Sequence, residues 1–160
     1  MGSRSKTDLA YIAGFLDGDG SLMLQVKKRA DIKSGIRFMA TICLYQDTRH
    51  DKNLYWIRNV LGIGYVSRRN DGISELRING YSKVGEILPL LRPHVRFKKV
   101  QIRALLRACK ILSSERGLSK LSSEQLKKLI DLVLVIQNEN YKSPRKKTKK
   151  ELYRLLDLTP

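Results

Sequence analysis

The chain has 160 residues, enough for one domain with a sizeable hydrophobic core. It carries 32 Lys and Arg against 15 Asp and Glu, and the net charge of +17 predicts a polyanionic partner, most often nucleic acid, with a merely basic, ribosome-like surface as the alternative. The two cysteines are far apart and form no Cys-x-x-Cys pair, which excludes a zinc module and fits a reducing compartment. No apolar run reaches the ~18 residues of a membrane span.

The first predicted element is a helix over residues 8–18, with Thr7 as its N-cap. Residues 1–6 before it are expected to be a tag remnant or disordered. Small residues recur at a spacing of four in this helix and leave one face almost without side chains, so another backbone can approach it closely. The small residues expected to join a second copy of the chain are Ala10, Ala13, Gly14 and Gly18.

Asp19 lies where this helix stops. Unpaired helical carbonyls and the negative end of the helix dipole are also there, so the Asp19 carboxylate and the Gly18 carbonyl predict a site for a hard cation. Cleavage of a phosphodiester needs such a metal to stabilise charge and to help activate water. Because one carboxylate per chain is a poor metal site, we expect two copies to contribute. Asp17 is expected to hydrogen-bond near the helix end, and a plain turn residue is the alternative for Asp19.

After this helix the apolar period changes from 3.6 to 2, which predicts a long hairpin with strands over residues 22–29 and 37–45. A second, shorter hairpin is predicted over residues 65–69 and 73–78. Each has one apolar face and one polar, basic face. A two-stranded ribbon fits the major groove, and nine residues of strand span about 30 Å, close to one turn of duplex. An ordinary antiparallel sheet with a solvated face is the alternative.

Helices make up the rest of the chain. Two of them begin with predicted capping boxes, Ser122 with Gln125 and Thr148 with Glu151. The order αββαββα, followed by further helices, predicts one α+β domain in which residues 139–160 form a basic loop and a C-terminal helix. The remaining predicted helices span residues 48–61, 82–91, 98–112 and 122–137.

Residues 12–20, IAGFLDGDG, resemble the LAGLIDADG motif of the homing endonucleases, DNA-cutting enzymes encoded within mobile introns. Five of the nine letters match: Ala13, Gly14, Asp17, Asp19 and Gly20. The resemblance extends over nearly the whole chain, because the order of helices and hairpins is similar to that of single-motif members. It implies their fold, with a saddle-shaped antiparallel sheet, and their homodimeric assembly.

The resemblance also implies site roles. Asp19 corresponds to the catalytic metal ligand and Gly18 to a backbone carbonyl ligand. Gln46 matches a polar residue that orders water at the metal, and Lys98 matches a basic residue near the scissile phosphate. His50 falls where similar members carry arginine, and a neutral histidine does not supply a permanent charge. Polar residues at the start of a helix are the alternative for Gln46 and His50.

Nucleic-acid contacts are implied along the hairpins and near the C-terminus. Met39 and Cys43 are expected to supply apolar contacts, for example to a thymine methyl group. Base-reading positions implied by the resemblance are Met23, Gln25, Lys27, Arg29, Arg37, Met39, Cys43, Arg69, Glu75 and Arg77. Phosphate contacts are expected from Lys142, Arg145, Lys146 and Lys147, for which a disordered basic tail is the alternative.

Together these features predict a homodimeric, site-specific double-strand DNA endonuclease with a long, partly palindromic target. By resemblance it cuts across the minor groove and leaves 3′ overhangs. Mg²⁺ is the expected cofactor, with Mn²⁺ or Ca²⁺ able to replace it for binding. We expect no membrane or small-molecule partner, and a location inside the cell, in a chloroplast, a mitochondrion or a prokaryotic cytoplasm. An RNA maturase and a DNA-binding regulator that has lost cleavage are the alternatives.

Overall fold

The computed structural model describes residues 4–32, 35–115, 118–140, 142 and 145–160. Part of the tag or disorder expected over residues 1–6 lies outside these ranges. The helices are α1 Lys6–Asp19, α2 Lys52–Leu61, α3 Tyr81–Leu91, α4 Lys99–Ser114, α5 Ser123–Glu139 and α6 Lys149–Leu155. The strands are β1 Gly20–Lys28, β2 Ile36–Asp47, β3 Tyr65–Arg68 and β4 Ile73–Asn79, and short 3₁₀ turns span Thr48–His50 and Leu118–Lys120.

The four strands form one antiparallel sheet in the order β1-β2-β4-β3. Within the β1–β2 hairpin, Gly20 lies opposite Leu44 and Lys28 lies opposite Ile36. Because side chains alternate between the two faces of a strand, this register places the apolar set on one side. The buried set on that side includes Leu22, Leu24, Val26, Phe38, Ala40, Ile42 and Leu44. The α+β class and the antiparallel sheet agree with the sequence prediction.

Helix α1 begins earlier than predicted. Its N-cap is Ser5, whose hydroxyl accepts a hydrogen bond from the Asp8 amide at 3.1 Å, and Thr7 lies inside the helix. Arg4 donates to the Leu61 carbonyl at 2.8 Å and ties this start to the end of α2. At the other end, a Cβ added to Gly20 would lie 2.6 Å from the Leu16 carbonyl oxygen. Glycine therefore allows the chain to turn directly from α1 into β1.

The C-terminal part of the chain packs on the rest of the domain. Helices α4 and α5 contact each other, and both contact β1. The predicted capping boxes at the starts of α5 and α6 are both present. In α6, Leu152 is fully buried. The Gln137 side chain accepts from the Lys147 amide at 3.0 Å and donates to its carbonyl at 3.1 Å, so this basic segment is held against α5.

Within the described ranges, none of the helices has the length and apolar run that a membrane span requires.

Candidate active site and nucleic-acid interface

Asp17 joins the end of α1 to the start of α4. Its carboxylate accepts hydrogen bonds from three consecutive backbone amides: Arg96 at 2.6 Å, Phe97 at 3.2 Å and Lys98 at 3.1 Å. In return, the Lys98 ammonium donates to the Asp17 carbonyl at 2.7 Å. Asp17 therefore hydrogen-bonds at the helix end, as the sequence predicts, and it fixes the position of Lys98.

Asp19 has a different environment from Asp17. It is exposed, and its carboxylate has no hydrogen-bond or ion-pair partner among the residues that the structure describes. It borders an open cavity of about 450 Å³ between the α1–β1 junction, α4 and the end of α5. Residues that line this cavity include Gly18, Asp19, Lys98, Gln101, Glu139 and Lys142. The cavity thus brings together five residues predicted from the sequence: Gly18, Asp19, Met23, Lys98 and Lys142.

Lys98 is half-buried beside this cavity. Burial lowers the pKa of its ammonium below the ordinary lysine value, although the negative charges of Asp17 and Asp19 act in the opposite direction. The hydrogen bond to the Asp17 carbonyl uses one of its three donors. The remaining donors can point into the cavity, where they suit an anionic group such as a phosphate.

The donor set at Asp19 fits a hard divalent cation but is incomplete in one protomer. A carboxylate and backbone carbonyls are the oxygen ligands that Mg²⁺ and Ca²⁺ take. Among the described residues, however, no group of three or more His, Cys, Asp or Glu side chains could hold a metal ion. The site therefore needs further ligands from a second chain, from a bound substrate or from water.

The bare face of α1, which we define as Ala10, Gly14 and Gly18, is exposed. A Cβ added to Gly14 or Gly18 would meet no atom within 4 Å, so none of the described side chains covers this face. The predicted set of dimer-interface residues is wrong at Ala13, because Ala13 is fully buried inside its own protomer. It lies four residues after Leu9 and three before Leu16, on the core side of the helix.

Gln46 and His50 do not line the cavity at Asp19. Gln46 is near the end of β2, two residues beyond Leu44, the partner of Gly20. Its side-chain oxygen accepts from the neighbouring Asp47 amide at 2.9 Å. His50 is exposed in the 3₁₀ turn that follows. Their predicted water-ordering roles stay predictions.

The open face of the sheet carries the predicted base-reading residues. Lys27, Arg29 and Arg37 are exposed at the far end of the β1–β2 hairpin, and Met23, Gln25 and Met39 are half-buried. Arg29 pairs with Asp31, with its Nη2 2.6 Å from the carboxylate. The hairpin side chains are thus placed on one continuous surface, as required for contact with a groove.

Glu75 is buried between two arginines on this open face. Arg69 donates to one carboxylate oxygen at 3.1 Å, and Arg77 donates to the other. Burial acts to raise the pKa of Glu75, but hydrogen bonds and the charges of Arg77 and Arg69 outweigh it and lower that pKa below the ordinary value. Both carboxylate oxygens are engaged within the protein, so Glu75 orients the two arginines.

Cys43 also differs from its predicted environment. It lies on the open side of β2, but it is fully buried, with Ser21 and Arg77 opposite it on the neighbouring strands. Burial raises the pKa of its thiol. Contact between Cys43 and a thymine methyl group is not available in this arrangement, because neighbouring side chains cover the thiol.

The basic segment near the C-terminus is exposed at Lys142 and at residues 145–147. Gln137 holds the backbone of Lys147, while Asn140 donates to the Leu22 carbonyl of β1 at 2.8 Å. These contacts place the segment beside the edge of the sheet. Gln101, Glu139 and Asn140 also line the cavity at Asp19 but were not predicted from the sequence. Gln101 follows Lys98 by three residues, so helical spacing is the one local signal for it.

Comparison with known proteins gives a consistent set of similarities. The model of the LAGLIDADG endonuclease family matches residues 12–112. The DNA endonuclease I-CvuI of Chlorella vulgaris is 31% identical over 117 residues, which cover 73% of each chain. The DNA endonuclease I-CreI of Chlamydomonas reinhardtii is 28% identical over 153 residues, 96% of this chain and 91% of that protein.

Solved structures show the same fold. The homing endonuclease I-CvuI in complex with the I-CreI target has a TM-score of 0.84 at 24% identity and covers 95% of this chain and 94% of its own. The archaeal intron-encoded homing endonuclease I-Vdi141I, complexed with DNA, has a TM-score of 0.79 at 21% identity and covers 94% and 95%. The arrangement of strands and helices described above is therefore that of this group of structures.

Proposed function

Because this chain belongs to the LAGLIDADG endonuclease family, we propose that it is a site-specific DNA endonuclease that uses a divalent metal and acts as a homodimer on a long, partly palindromic double-stranded target. Each protomer contributes one Asp19 to a shared centre, and the products carry 3′ overhangs after cleavage across the minor groove. An intracellular location in an organelle or a prokaryotic cytoplasm belongs to the same proposal and fits two free, buried cysteines.

The observation that carries this proposal is the contrast between Asp17 and Asp19. Asp17 is fully engaged by three backbone amides, whereas Asp19 faces the cavity without a partner among the described residues. A carboxylate at the C-terminal end of a helix is electrostatically unfavourable, since the helix dipole is negative there. A cation held between Asp19 and the Gly18 carbonyl removes this penalty.

The residues around the cavity support phosphodiester cleavage. When bound, Mg²⁺ supplies charge stabilisation and an activated water. Asp19 and the Gly18 carbonyl are the protein groups that hold it, and Mn²⁺ or Ca²⁺ can replace it for binding. Lys98, fixed by Asp17, places its ammonium beside the scissile phosphate and stabilises negative charge there. Lys142 and residues 145–147 contact flanking phosphates, which adds affinity without sequence information.

The proposed dimer forms through the bare face of α1. Its glycines leave room for the backbone of a second copy. Exposed aromatic side chains lie beside it: Tyr11 on α1 packs edge-on against Trp56 with ring centroids 5.6 Å apart, and Phe97, next to the Asp17 contacts, is 84% exposed. A second copy that covers these rings removes a large apolar surface from water. Its two-fold symmetry brings two Asp19 carboxylates to one place.

Selection of cleaved sites from a randomised DNA library tests the proposal. We expect one family of partly palindromic sites of roughly two duplex turns, cut in Mg²⁺ and left intact in EDTA. Linearisation of a plasmid that carries the selected site confirms double-strand cleavage. Tight binding to structured RNA without any DNA cleavage indicates a maturase instead, and sequence-specific DNA binding without cleavage indicates a regulator.

A further inference from the structure

A buried oxygen without a partner faces the cavity at Asp19. Gln101 is 6% exposed and lines this cavity together with Asp19 and Lys98. Its Oε1 is the one buried side-chain nitrogen or oxygen in the described ranges that lacks a hydrogen-bond partner. Buried polar groups are nearly always hydrogen-bonded, so this oxygen needs a donor from outside the protein's own residues.

A comparison with Gln125 shows why the oxygen is unpaired. Both glutamines are the third residue of a helix, the position from which a glutamine side chain can accept from the N-cap amide. Gln125 does so, with its Oε1 2.9 Å from the Ser122 amide nitrogen. At the start of α4, the equivalent amide is that of Lys98, and it already donates to Asp17. Gln101 is therefore excluded from the usual capping role.

An apolar side chain of similar volume would suit this buried position better if no other donor were present, because an unpaired buried oxygen costs free energy. The cavity of about 450 Å³ has room for several water molecules. Asp19, Lys98 and the backbone around Gly18 supply the further polar partners that an ordered water needs.

We propose that Gln101 is a positioning residue for DNA cleavage: its Oε1 accepts a hydrogen bond from an ordered water in the cavity that Asp19 and Lys98 also face. The water keeps the polar shell around the reacting phosphate in one arrangement. Gln101 itself touches neither the phosphate nor the leaving group. This inference rests on the proposed function, since it concerns the rate of the same cleavage reaction.

Three variants test the inference. Gln101→Met removes the acceptor at similar volume, and Gln101→Glu keeps an oxygen at that position. Gln125→Met is the matched control, because it removes the same side chain at the same helical position but far from the cavity. For each, we would measure the single-turnover cleavage rate in saturating Mg²⁺, the DNA dissociation constant in Ca²⁺, and the melting temperature. A crystal structure of the wild type without DNA or metal shows whether the water is present, independently of activity.

We expect Gln101→Met to lower the cleavage rate by about 10- to 100-fold, the usual effect of removing an outer-shell partner at a metal site. Its DNA affinity and melting temperature should stay at wild-type values, and Gln101→Glu should restore most of the rate. Gln125→Met should lower the melting temperature and leave the rate unchanged. The wild-type crystal should show an ordered water within about 3.2 Å of Oε1.

Wild-type cleavage by Gln101→Met overturns the inference and leaves the proposed function intact. Equal losses of rate, affinity and melting temperature also overturn it, since they indicate a merely structural role. If Gln101→Met does not fold, the inference is tested by the cleavage rate of Gln101→Glu and by the wild-type crystal structure. The absence of an ordered water beside Oε1 in that crystal structure is evidence against the proposal. A wild type that cuts no DNA contradicts the proposed function first.

Discussion

The carboxylate of Asp17 accepts from the Lys98 amide, and the Lys98 ammonium donates to the Asp17 carbonyl. This reciprocal pair is separated by 81 residues in sequence and connects the end of α1 to the start of α4. Because the Lys98 amide donates to Asp17, it is not available to the Gln101 side chain. The same pair holds the Lys98 ammonium beside Asp19. One long-range contact thus positions Lys98 at the cavity and leaves the Gln101 oxygen without its usual donor.

The two aspartates at the end of α1 should differ in their effect on stability. Asp17→Asn replaces one acceptor oxygen with an amino group that faces backbone amides, so we expect a loss of roughly 1–3 kcal/mol in the free energy of unfolding. Asp19→Asn is the matched control and should leave stability unchanged or slightly higher, since it removes a negative charge from the negative end of the helix. Urea unfolding of both variants measures the difference. Equal stability of the two variants would contradict the structural role of Asp17.

Gly14 and Ala13 are neighbours in sequence but lie on different sides of α1. Gly14→Leu places a side chain on the bare face, where no described residue obstructs it, so the protomer should fold normally. The dimer should weaken by at least about 30-fold, because overpacking acts twice in a symmetric interface. Sedimentation over a concentration series measures this change.

Ala13→Leu provides the contrast, because it overfills the core and should lower the free energy of unfolding by about 1–3 kcal/mol. Lys110→Leu, at an exposed position on α4, controls for added surface hydrophobicity. If Gly14→Leu stays as dimeric as Lys110→Leu, the bare face is not the interface.

Glu75 should influence which DNA sites are cut. Glu75→Gln removes the charge that orients Arg69 and Arg77, so both guanidinium groups gain freedom to contact other bases or phosphates. We expect a broader set of cleaved sites at the positions read by the β3–β4 hairpin, and an unchanged cleavage rate on the best site. Library selection with both proteins provides the measurement. Identical site profiles would show that Glu75 does not orient the reading arginines.

The ion pair at Asp51 predicts acid sensitivity. A hydrogen bond from Arg68 lowers the pKa of Asp51 below its ordinary value; burial opposes this, and Ser74 adds a second hydrogen bond. A carboxyl whose pKa is lower in the folded state stabilises the fold above its unfolded pKa of about 3.9, and this stabilisation is lost as the pH falls through the folded value. We expect a gap in unfolding free energy between wild type and Asp51→Asn that is full at pH 7 and narrows below about pH 4. A gap independent of pH would contradict this assignment.

The sequence was informative wherever a signal was local. Apolar residues at every second position predicted the β1–β2 hairpin and its buried face. Both capping boxes were predicted from a serine or threonine followed three residues later by glutamine or glutamate. Residue type alone misplaced the cap of α1, because Ser5 and Thr7 are equally suited and packing decides where the helix begins. The same limit applies to Ala13, since a small side chain is compatible with a core position as well as with a bare face.

Residues that depend on distant contacts could not be predicted in this way. The position of Cys43 in the alternating pattern of β2 places it on the open face, but side chains on both neighbouring strands cover it. Glu75 has the chemistry of a base-reading residue, but both of its carboxylate oxygens are paired with arginines, Arg69 and Arg77. The unpaired oxygen of Gln101 exists only because Asp17, far away in sequence, occupies the Lys98 amide. Local patterns contain no trace of such competition for a partner.

In the proposed function, Asp19 is the carboxylate that makes cleavage possible. The most direct test compares wild type with Asp19→Asn on the selected target, with single-turnover cleavage measured in Mg²⁺ and DNA affinity measured in Ca²⁺. We predict wild-type affinity and no detectable cleavage for Asp19→Asn. Cleavage by this variant at the wild-type rate would contradict the proposed role of Asp19.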